Sequence, residues 1–467
     1  MTTRTVERVV EVAVVGAGTA GLAAYRAVRA EGKTAAIVES GPYGTTCARV
    51  GCMPSKLLIA AADAAHHALE AGPFGVTATV KVDGKVVMDR VKRERDRFVG
   101  FVVAGMSNVR DDDRVLGRAS FVGPSKLAVA RESGGTEEIV AKTVVLATGS
   151  SPFVPSMFDA VRDRVLVNDD VFGWDDLPAS VAVFGTGIIG LELGQALARL
   201  GVRVHVFGKG DNIAGLTDPV VKEAARTAFT AELAVDFAAK IVAVTPHGER
   251  GVRVAFERDG EALAEDFDTL LVAAGRRPNI VGIGLETSGV DLGAKIDRHT
   301  LRWGTSNVFV AGDASDDVPL LHEAADEGRI AGQNAALYPG SHAGSRRSLL
   351  TVAFTDPQIA IAGASFADLG GRSIEVGYVD FVDQGRSRMM RQNRGAMRVY
   401  ADRATRVFLG AEIAHPRAEH LAHLLAWAHQ STLTIDQMLS MPFYHPVVEE
   451  GLRTALRDVR AKLDVEK

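Results

Sequence analysis

A glycine-rich turn, together with the elements around it, constrains the fold of this chain more than any other feature. An apolar run at residues 12–15 leads into a Gly-x-Gly-x-x-Gly turn, an Ala/Leu-rich stretch that ends at Ala30, and a second apolar run that ends at Glu39. This order of strand, turn, helix, strand and acidic residue predicts a dinucleotide-binding βαβ unit. Glu39 is placed to accept hydrogen bonds from an adenosine ribose. The turn brings the backbone close to a pyrophosphate through Gly16, Gly18 and Gly21.

The same pattern recurs roughly 170 residues later. Residues 181–184 form an apolar run that precedes a second Gly-x-Gly-x-x-Gly turn, and a helical stretch and a strand over residues 202–207 follow it. Because one fingerprint binds one dinucleotide, the chain is predicted to have two nucleotide sites. The glycines of the second turn are Gly185, Gly187 and Gly190.

Length and composition set the number of domains and exclude several classes of protein. A chain of 467 residues suggests about three domains. With 53 basic and 58 acidic residues and a net charge of −5, it is a poor candidate for binding nucleic acid or an anionic membrane. No apolar run approaches the ~18 residues of a transmembrane helix, and no secretory signal is visible near the first residue. We therefore expect a cytoplasmic protein.

The chain has only two cysteines, Cys47 and Cys52, and they lie five residues apart. Two cysteines are too few for a disulfide framework, and a thiolate zinc site usually needs a second pair, so we expect no metal. A disulfide needs Cα atoms within roughly 7 Å, which an ideal helix does not allow at this spacing. Pairing would therefore require a distorted helical turn, for which Gly51 and Pro54 are suited. A helix N-terminus would also lower a thiol pKa and favour the thiolate used in exchange.

Several further motifs, taken together, point to one family. The chain resembles the class I FAD-dependent pyridine nucleotide–disulfide oxidoreductases, and within them looks most like the dihydrolipoyl dehydrogenases. The resemblance covers essentially the whole length. It rests on both glycine turns, the Cys47–Cys52 segment, Ala-Thr-Gly at residues 147–149, Gly-Arg-Arg-Pro at residues 275–278, Gly312-Asp313, Phe-Thr-Asp-Pro at residues 354–357, and His445-Pro446 with Glu450. Thr45, where the family usually has glycine, and Phe443, where it frequently has a second histidine, depart from the pattern.

The resemblance implies an α/β fold with two Rossmann-like dinucleotide-binding domains and a C-terminal α+β dimerisation domain. A Ser/Pro-containing stretch at residues 150–155 is interpreted as a linker. The expected divisions are a first part of the FAD-binding domain at residues 1–152, an NAD(P)-binding domain at 153–276, a second part of the FAD-binding and central region at 277–346, and a dimerisation domain at 347–467.

The resemblance also assigns the catalytic groups. Cys47 would be the interchange thiol that attacks the substrate, and Cys52 would face the flavin. His445 would be the base, because thiol exchange needs a group that titrates near neutrality, and Glu450 would fix its tautomer. In this family the base comes from the partner subunit, so a homodimer is implied.

Cofactor-binding residues follow from the same matches. Lys56 and Glu192 would form a charge pair that flanks the flavin, since a buried lysine needs a carboxylate partner. The remaining contacts with FAD would come from Gly16, Gly18, Gly21, Glu39, Thr46, Thr148, Gly149, Gly312 and Asp313. Those with the nicotinamide dinucleotide would come from Gly185, Gly187, Gly190, Lys209 and Gly275.

The sequence leaves the choice of nicotinamide cofactor open. The position that corresponds to Glu39 in the second unit is Gly208, so the carboxylate expected for the ribose of NAD is missing. Lys209, the next residue, is compatible with the 2′-phosphate of NADP. The resemblance to dihydrolipoyl dehydrogenases favours NAD, and we take NAD as the expected cofactor with NADP as the alternative.

The expected activity is oxidation of protein-bound dihydrolipoyl groups with NAD⁺ through FAD and a Cys47–Cys52 disulfide. The expected partner is a lipoylated protein of a 2-oxoacid dehydrogenase or glycine-cleavage system. Alternatives are an NADPH-dependent reductase of another low-molecular-weight disulfide, a binding subunit of such an assembly, and a flavin reductase acting on quinones. Mercuric reductases and larger thioredoxin reductases are disfavoured, because both would call for a further redox pair and the chain has no other cysteine.

Overall fold

A computed structural model describes residues 6–465 of the chain. The first five residues, which entered the interpretation of the N-terminus, lie outside this range. The strands are β1 Val6–Val15, β2 Ala35–Glu39, β3 Arg114–Gly123, β4 Lys126–Arg131, β5 Thr136–Leu146, β6 Ser150–Pro152, β7 Val165–Leu166, β8 Ser180–Phe184, β9 Arg203–Phe207, β10 Val235–Asp236, β11 Lys240–His247, β12 Gly251–Arg258, β13 Glu261–Phe267, β14 Thr269–Val272, β15 Arg276–Pro278, β16 Val308–Val310, β17 Leu350–Ala353, β18 Gln358–Gly363, β19 Ile374–Asp380, β20 Ala396–Asp402 and β21 Phe408–His415.

The α-helices have lengths between four and 22 residues. No helix within residues 6–465 is long and apolar enough to cross a membrane. The helices are α1 Thr19–Ala30, α2 Thr46–Val50, α3 Cys52–Leu69, α4 Gly84–Gly105, α5 Asn168–Val171, α6 Ile188–Arg199, α7 Pro219–Thr230, α8 Leu321–Leu337, α9 Gly385–Met389, α10 Ala418–Gln430, α11 Ile435–Leu439 and α12 Glu449–Val465.

The described residues form two compact units, of which the first comprises residues 6–54, 92–153 and 276–346. Its main sheet contains the parallel strands β3, β2, β1, β5 and β16 in that order, and β4 joins β3 to β5 in an antiparallel extension. The predicted βαβ unit is present as β1, α1 and β2. The ends of all three elements lie where they were expected, but β1 begins at Val6 and not at residue 12. Its buried strand residues are almost all aliphatic, as in parallel sheets covered on both faces.

Helices α1 and α8 of this unit pack with their backbones in close contact. A Cβ atom at Gly328 would overlap the backbone of Ala20, and one at Gly332 would overlap the backbone of Ala24. Because small residues line both helices, α8 approaches α1 closely enough to bury Tyr25 beside the sheet.

The second unit comprises residues 55–91, 154–275 and 347–465. It contains a second parallel sheet, in the order β10, β9, β8, β14, β7, beside an antiparallel sheet of β11, β12 and β13. The two nucleotide-binding folds therefore share one plan, as the repeated glycine turn predicts. Its C-terminal part is a five-stranded antiparallel sheet, β17, β18, β21, β20, β19, packed against α10 and α12.

The expected linker at residues 150–155 is wrong in part, because its first three residues form β6. This strand pairs antiparallel with β15. Ser150 also bonds to two side chains, donating to Asp313 at 2.6 Å and accepting from Arg276 Nε at 2.8 Å. Serine and proline are typical of loops, but here a partner strand about 125 residues later satisfies their backbone. The four-part domain division stays a prediction.

Candidate active site

The cysteine segment is an interrupted helix. Cys47 is the second residue of α2, Cys52 is the first residue of α3, and Gly51 between them has non-helical dihedral angles of φ −126° and ψ −118°. A Cβ atom at Gly51 would lie 3.1 Å from the Cα atom of Cys47, so the chain folds back toward that residue. The distortion predicted from the five-residue spacing is therefore present. Cys47 is half-buried and Cys52 is exposed.

Thr45 precedes this segment with a backbone conformation that normally favours glycine. Its φ is 54°, on the left-handed side, where a β-branched residue is rare. Its hydroxyl caps α2 by accepting a hydrogen bond from the backbone N–H of Ala48 at 3.3 Å. The threonine thus keeps the backbone turn that a glycine would allow and adds a cap to the helix that carries Cys47.

The first glycine turn ends β1 with a close approach to a neighbouring strand. Gly16 has a φ of 106°, and a Cβ atom there would overlap the carbonyl of Ala147. Glu39 lies at the end of β2, where its carboxylate accepts from the N–H groups of Ala17 at 2.8 Å and Gly41 at 3.0 Å. Gly18 is the N-cap residue of α1 and offers no side-chain cap, so the first N–H groups of that helix are suited to bind an anion.

Two further groups at this turn suit a dinucleotide. The hydroxyl oxygen of Thr148 is buried and has no hydrogen-bond partner among the described residues, a state that a bound polar ligand relieves. Asp313 follows β16 and accepts from Ser150. The residues of the first turn therefore fit an FAD molecule. The contacts of Gly16, Gly18 and Gly21 with its pyrophosphate and of Glu39 with its adenosine ribose stay predictions.

A buried carboxylate holds the backbone beside Asp313. Glu327 of α8, 1% exposed, accepts from the N–H of Gly312 at 2.8 Å and from the hydroxyl of Ser315 at 3.0 Å. Burial raises its pKa, and the guanidinium of Arg346, 2.7 Å away, opposes that rise. Glu327 and Arg346 were not predicted from the sequence. Their spacing from Gly312 gives no local signal, because their contacts form only when α8 packs on the sheet.

The second glycine turn differs from the first at the ribose position. A Cβ atom at Gly208 would lie 2.5 Å from the carbonyl oxygen of Phe237 and 2.7 Å from the hydroxyl of Thr186. Thr186 is 2% exposed, and its hydroxyl has no partner among the described residues. The side chain of Thr186 therefore lies where a carboxylate at position 208 would begin. Lys209 is exposed.

Lys56 and Glu192 are paired. The Lys56 ammonium lies 2.8 Å from one carboxylate oxygen of Glu192 and 3.0 Å from the other, and 4.8 Å from the centre of the Phe354 ring. Glu192 is 3% exposed and also accepts from the N–H of Phe354 at 2.8 Å. The charge pair inferred from the resemblance is thus formed in the second unit, and its role beside a flavin stays a prediction.

Helix α6 fixes the turn that contains Phe354 through two more side chains. The Gln195 amide donates to the Asp356 carbonyl and accepts from the Asp356 N–H, both at 2.7 Å. Arg199, 4% exposed, donates to the Asp356 carboxylate at 2.9 Å. Burial raises the pKa of Asp356, but the charges of Arg394 and Arg199 outweigh it and hold the pKa below its usual range. The sequence signal was available: Gln195 and Arg199 follow Glu192 at helical spacing, on one face.

His445 and Glu450 also meet. His445 Nδ1 lies 2.9 Å from Glu450 Oε2, and Glu450 Oε1 accepts from Arg453 at 2.6 Å. Desolvation raises the pKa of the Glu450 carboxyl, but hydrogen bonds from His445 and the N–H of Val447 more than compensate and lower it. The His445 side chain is 79% exposed. With Nδ1 donating to the carboxylate, Nε2 is left to accept a proton.

The remaining predicted residues stay predictions as cofactor contacts. Thr46 is exposed at the start of α2, and Gly149 and Gly275 have positive φ values of 67° and 102°. Within residues 6–465, no group of three or more His, Cys, Asp and Glu side chains could hold a metal ion.

Comparison with known proteins identifies the family. The model for "Pyridine nucleotide-disulphide oxidoreductase" matches residues 10–328, and the model for its dimerisation domain matches residues 349–456. The chain belongs to the pyridine nucleotide–disulphide oxidoreductase family. The predicted family, the fold of two Rossmann-like domains with a dimerisation domain, and the cofactors FAD and NAD(P) are confirmed. The dimerisation domain also supports the expected homodimer.

Relatives of this oxidoreductase carry more than one activity. A dihydrolipoyl dehydrogenase of Halobacterium salinarum is 32% identical over 457 residues, 95% of each chain. A mercuric reductase of Acidithiobacillus ferrooxidans is 29% identical over 464 residues, 96% of this chain and 83% of that one. The crystal structure of LpdA from Mycobacterium tuberculosis superposes with a TM-score of 0.81 at 25% identity, covering 96% of this chain and 99% of that one. The chain is therefore a flavin-dependent disulfide oxidoreductase.

Proposed function

We propose that this oxidoreductase oxidises protein-bound dihydrolipoyl groups to lipoyl groups, with NAD⁺ as the electron acceptor. The observation that carries the proposal is the interrupted helix at Gly51, which turns the backbone between Cys47 and Cys52 back on itself. Dihydrolipoyl dehydrogenase relatives that match almost the whole chain support the choice of dithiol. The partners are a second copy of the chain and a lipoylated protein of a 2-oxoacid dehydrogenase or glycine-cleavage system.

The exchange begins with removal of a proton from the substrate. His445 accepts it from one dihydrolipoyl thiol at Nε2, while Glu450 holds Nδ1–H and stabilises the imidazolium. The substrate thiolate forms a bond with Cys47 Sγ as the bond from Cys47 to Cys52 breaks. The sulfur of the second substrate thiol then displaces Cys47, and the proton of that thiol passes to the released Cys47 thiolate. The substrate leaves as a disulfide, and the two cysteines together have gained two electrons.

The cofactors supply the remaining chemistry. When bound, FAD would take the electron pair from the reduced cysteines and pass it as hydride to the nicotinamide. Lys56 would hold a positive charge beside the flavin, and Glu192 would fix its ammonium through the short contacts already described. Cys52, as the first residue of the 18-residue α3, lies at a helix N-terminus, which favours a thiolate.

Substitution of each cysteine tests this proposal. Cys47→Ser and Cys52→Ser should each abolish NAD⁺ reduction by dihydrolipoamide, while the purified proteins keep their yellow colour and fold. Met53→Leu, a neighbour without a thiol, is the matched control and should keep activity within about twofold, because Leu and Met exchange at little cost. Turnover of dihydrolipoamide in either serine variant would refute the dithiol mechanism.

A second candidate is an NADPH-dependent reductase of another low-molecular-weight disulfide. The observation in its favour is Gly208, where the structure leaves no room for the carboxylate that would select NAD. In this case electrons would flow from NADPH through the same two cysteines to the substrate disulfide, and dihydrolipoamide would be a poor electron donor.

A further inference from the structure

Three polar side chains, two of them fully buried, form a hydrogen-bonded series beside the loop that carries His445. Its members are Gln384 just before α9, Ser387 within α9 and His415 at the end of β21. Ser387 and His415 are both fully buried. His415 lies against the ring of Phe381, with ring centres 3.9 Å apart. Buried polar groups are normally hydrogen-bonded. The hydrogen-bond partners of each atom therefore show how this series of side chains is connected to the rest of the domain.

The direction of every hydrogen bond in this series is fixed by backbone groups. The N–H of Arg417 can only donate, and it lies 3.1 Å from His415 Nδ1, so that nitrogen accepts. His415 Nε2 must then carry the hydrogen and donate to the Ser387 hydroxyl oxygen at 3.0 Å. The Ser387 hydroxyl in turn donates to Gln384 Oε1 at 2.8 Å.

Gln384 connects these hydrogen bonds to the loop before α12. Its Oε1 also accepts from the N–H of Ser387 at 2.7 Å, which sets the orientation of the amide. Its Nε2 donates to the carbonyl oxygen of Val447 at 2.8 Å. The N–H of Val447 points to Glu450 Oε2 at 3.4 Å, the oxygen that holds His445 Nδ1. A continuous set of bonds therefore connects His415 with the His445–Glu450 pair.

His415 is suited to act as a neutral anchor. Burial, with the charge of Arg394 and a smaller effect of Arg417, lowers its pKa to about 3, while Asp356 opposes the shift. Its tautomer and its charge thus stay constant over the pH range in which a histidine base works. His445 itself is exposed, so the geometry of its loop depends on contacts such as the one at the Val447 carbonyl.

We propose that Gln384, Ser387 and His415 are positioning residues, which hold the Val447 peptide so that the base is aligned for proton transfer. The inference rests on the proposed role of His445 as the base. The series touches neither substrate nor cofactor, and it acts only through the loop. A misplacement of a reacting group by about 1 Å costs up to ~100-fold in rate, so loss of one bond in this series is expected to slow the step that uses His445.

The test separates the two half-reactions of the holoenzyme by stopped-flow absorbance of the flavin. Reduction of the flavin by dihydrolipoamide requires the base, whereas reduction by NADH does not. Gln384→Met and Ser387→Ala should each slow the dihydrolipoamide half-reaction about tenfold and leave the NADH half-reaction unchanged. Ser348→Ala is the matched control, because it removes a hydroxyl 2.7 Å from His429 Nδ1 in the same domain without contact with Val447.

Equal slowing of both half-reactions, or no change in either, would overturn the positioning role. Failure of the proposed function is distinguished by His445→Gln. If that variant keeps a normal dihydrolipoamide half-reaction, His445 is not the base and the proposed mechanism fails. If His445→Gln is slow while the Gln384 and Ser387 variants are normal, only the positioning role fails.

Discussion

At the scale of single residues, Gly208 and Thr186 determine which groups lie directly after β9, at the position that corresponds to Glu39 in the first βαβ unit. In the first βαβ unit the Glu39 carboxylate accepts a hydrogen bond from the N–H of Ala17 at 2.8 Å and lies at the position predicted to face the adenosine ribose. In the second unit the side chain of Thr186 fills that space, and the Phe237 carbonyl blocks it further. No carboxylate at position 208 opposes a 2′-phosphate there.

This arrangement predicts weak discrimination between the two nicotinamide cofactors. We expect kcat/KM for NADP⁺ to lie within about tenfold of that for NAD⁺, because repulsion from a carboxylate is missing. Relative to the parent enzyme, Lys209→Glu should lower kcat/KM for NADP⁺ about tenfold and change kcat/KM for NAD⁺ little. Steady-state kinetics with both cofactors measures this. Lys240→Glu, at an exposed lysine on β11, is the control, and an equal loss for both cofactors in Lys209→Glu would contradict the prediction.

At the scale of elements, α6 determines the conformation of the turn before β18. Glu192, Gln195 and Arg199 lie along one face of this helix and bond to Phe354 and Asp356 of the turn. Because Glu192 also holds Lys56, the turn and the charge pair are parts of one network. Loss of the Asp356 carboxylate removes one of the anionic partners of the buried Arg199, which keeps its ion pairs with Glu232 and Asp63.

The pKa of Asp356 gives this network a pH dependence. A carboxyl group whose pKa is lowered on folding adds stability above its unfolded pKa of 3.8, and this stability is lost as the pH falls through the lower folded value. Asp356→Asn should therefore lower the free energy of unfolding by about 2 kcal/mol near neutral pH. The Tm of this variant should also fall less steeply toward pH 3 than the Tm of the parent. Thermal melts from about pH 7 to pH 3 measure it. Asp383→Asn, at a carboxylate 84% exposed, is the control. A variant curve parallel to that of the parent would refute the argument.

The elements that the sequence predicts are those set by local pattern. Apolar runs and glycine turns predicted α1, β2, β8 and the end of β1 closely, because parallel buried strands leave a continuous apolar signal. The start of β1 at Val6 was not predicted. The pairing of β6 with β15, and the contact of Gln195 with Asp356, join residues more than 120 positions apart. The pairing of β6 with β15 leaves no local pattern in the sequence, so a linker was expected where β6 lies. The helical spacing of Glu192, Gln195 and Arg199 shows that they share one face of α6, but it does not show that this face meets Asp356, so the α6 network was missed.

In the candidate site, too, the features set by local sequence were predicted and those set by tertiary contacts were not. Motif spacing identified the distorted segment between Cys47 and Cys52 and placed Glu39 at the end of β2. It also noted the missing carboxylate at position 208. Spacing did not show that Thr186 fills the space there, because that depends on how two turns meet.

At the scale of the whole molecule, the family implies that each active site combines the cysteines of one subunit with the histidine of the other. This predicts complementation between inactive variants. Cys47→Ser and His445→Gln homodimers should each be inactive, but after subunit exchange about half of the dimers are mixed, and each mixed dimer has one intact site. We expect recovery of about a quarter of the parent activity. If cysteines and base belonged to the same subunit, no activity would return.

The decisive measurement for the dihydrolipoyl assignment is reduction of NAD⁺ and NADP⁺ by dihydrolipoamide, side by side, on the purified flavoprotein. We predict rapid reduction of NAD⁺ that depends on Cys47 and Cys52, with NADP⁺ as a usable second acceptor. If dihydrolipoamide reduces neither cofactor, while NADPH reduces another small disulfide, the dihydrolipoyl assignment is wrong and the chain is a disulfide reductase of different specificity.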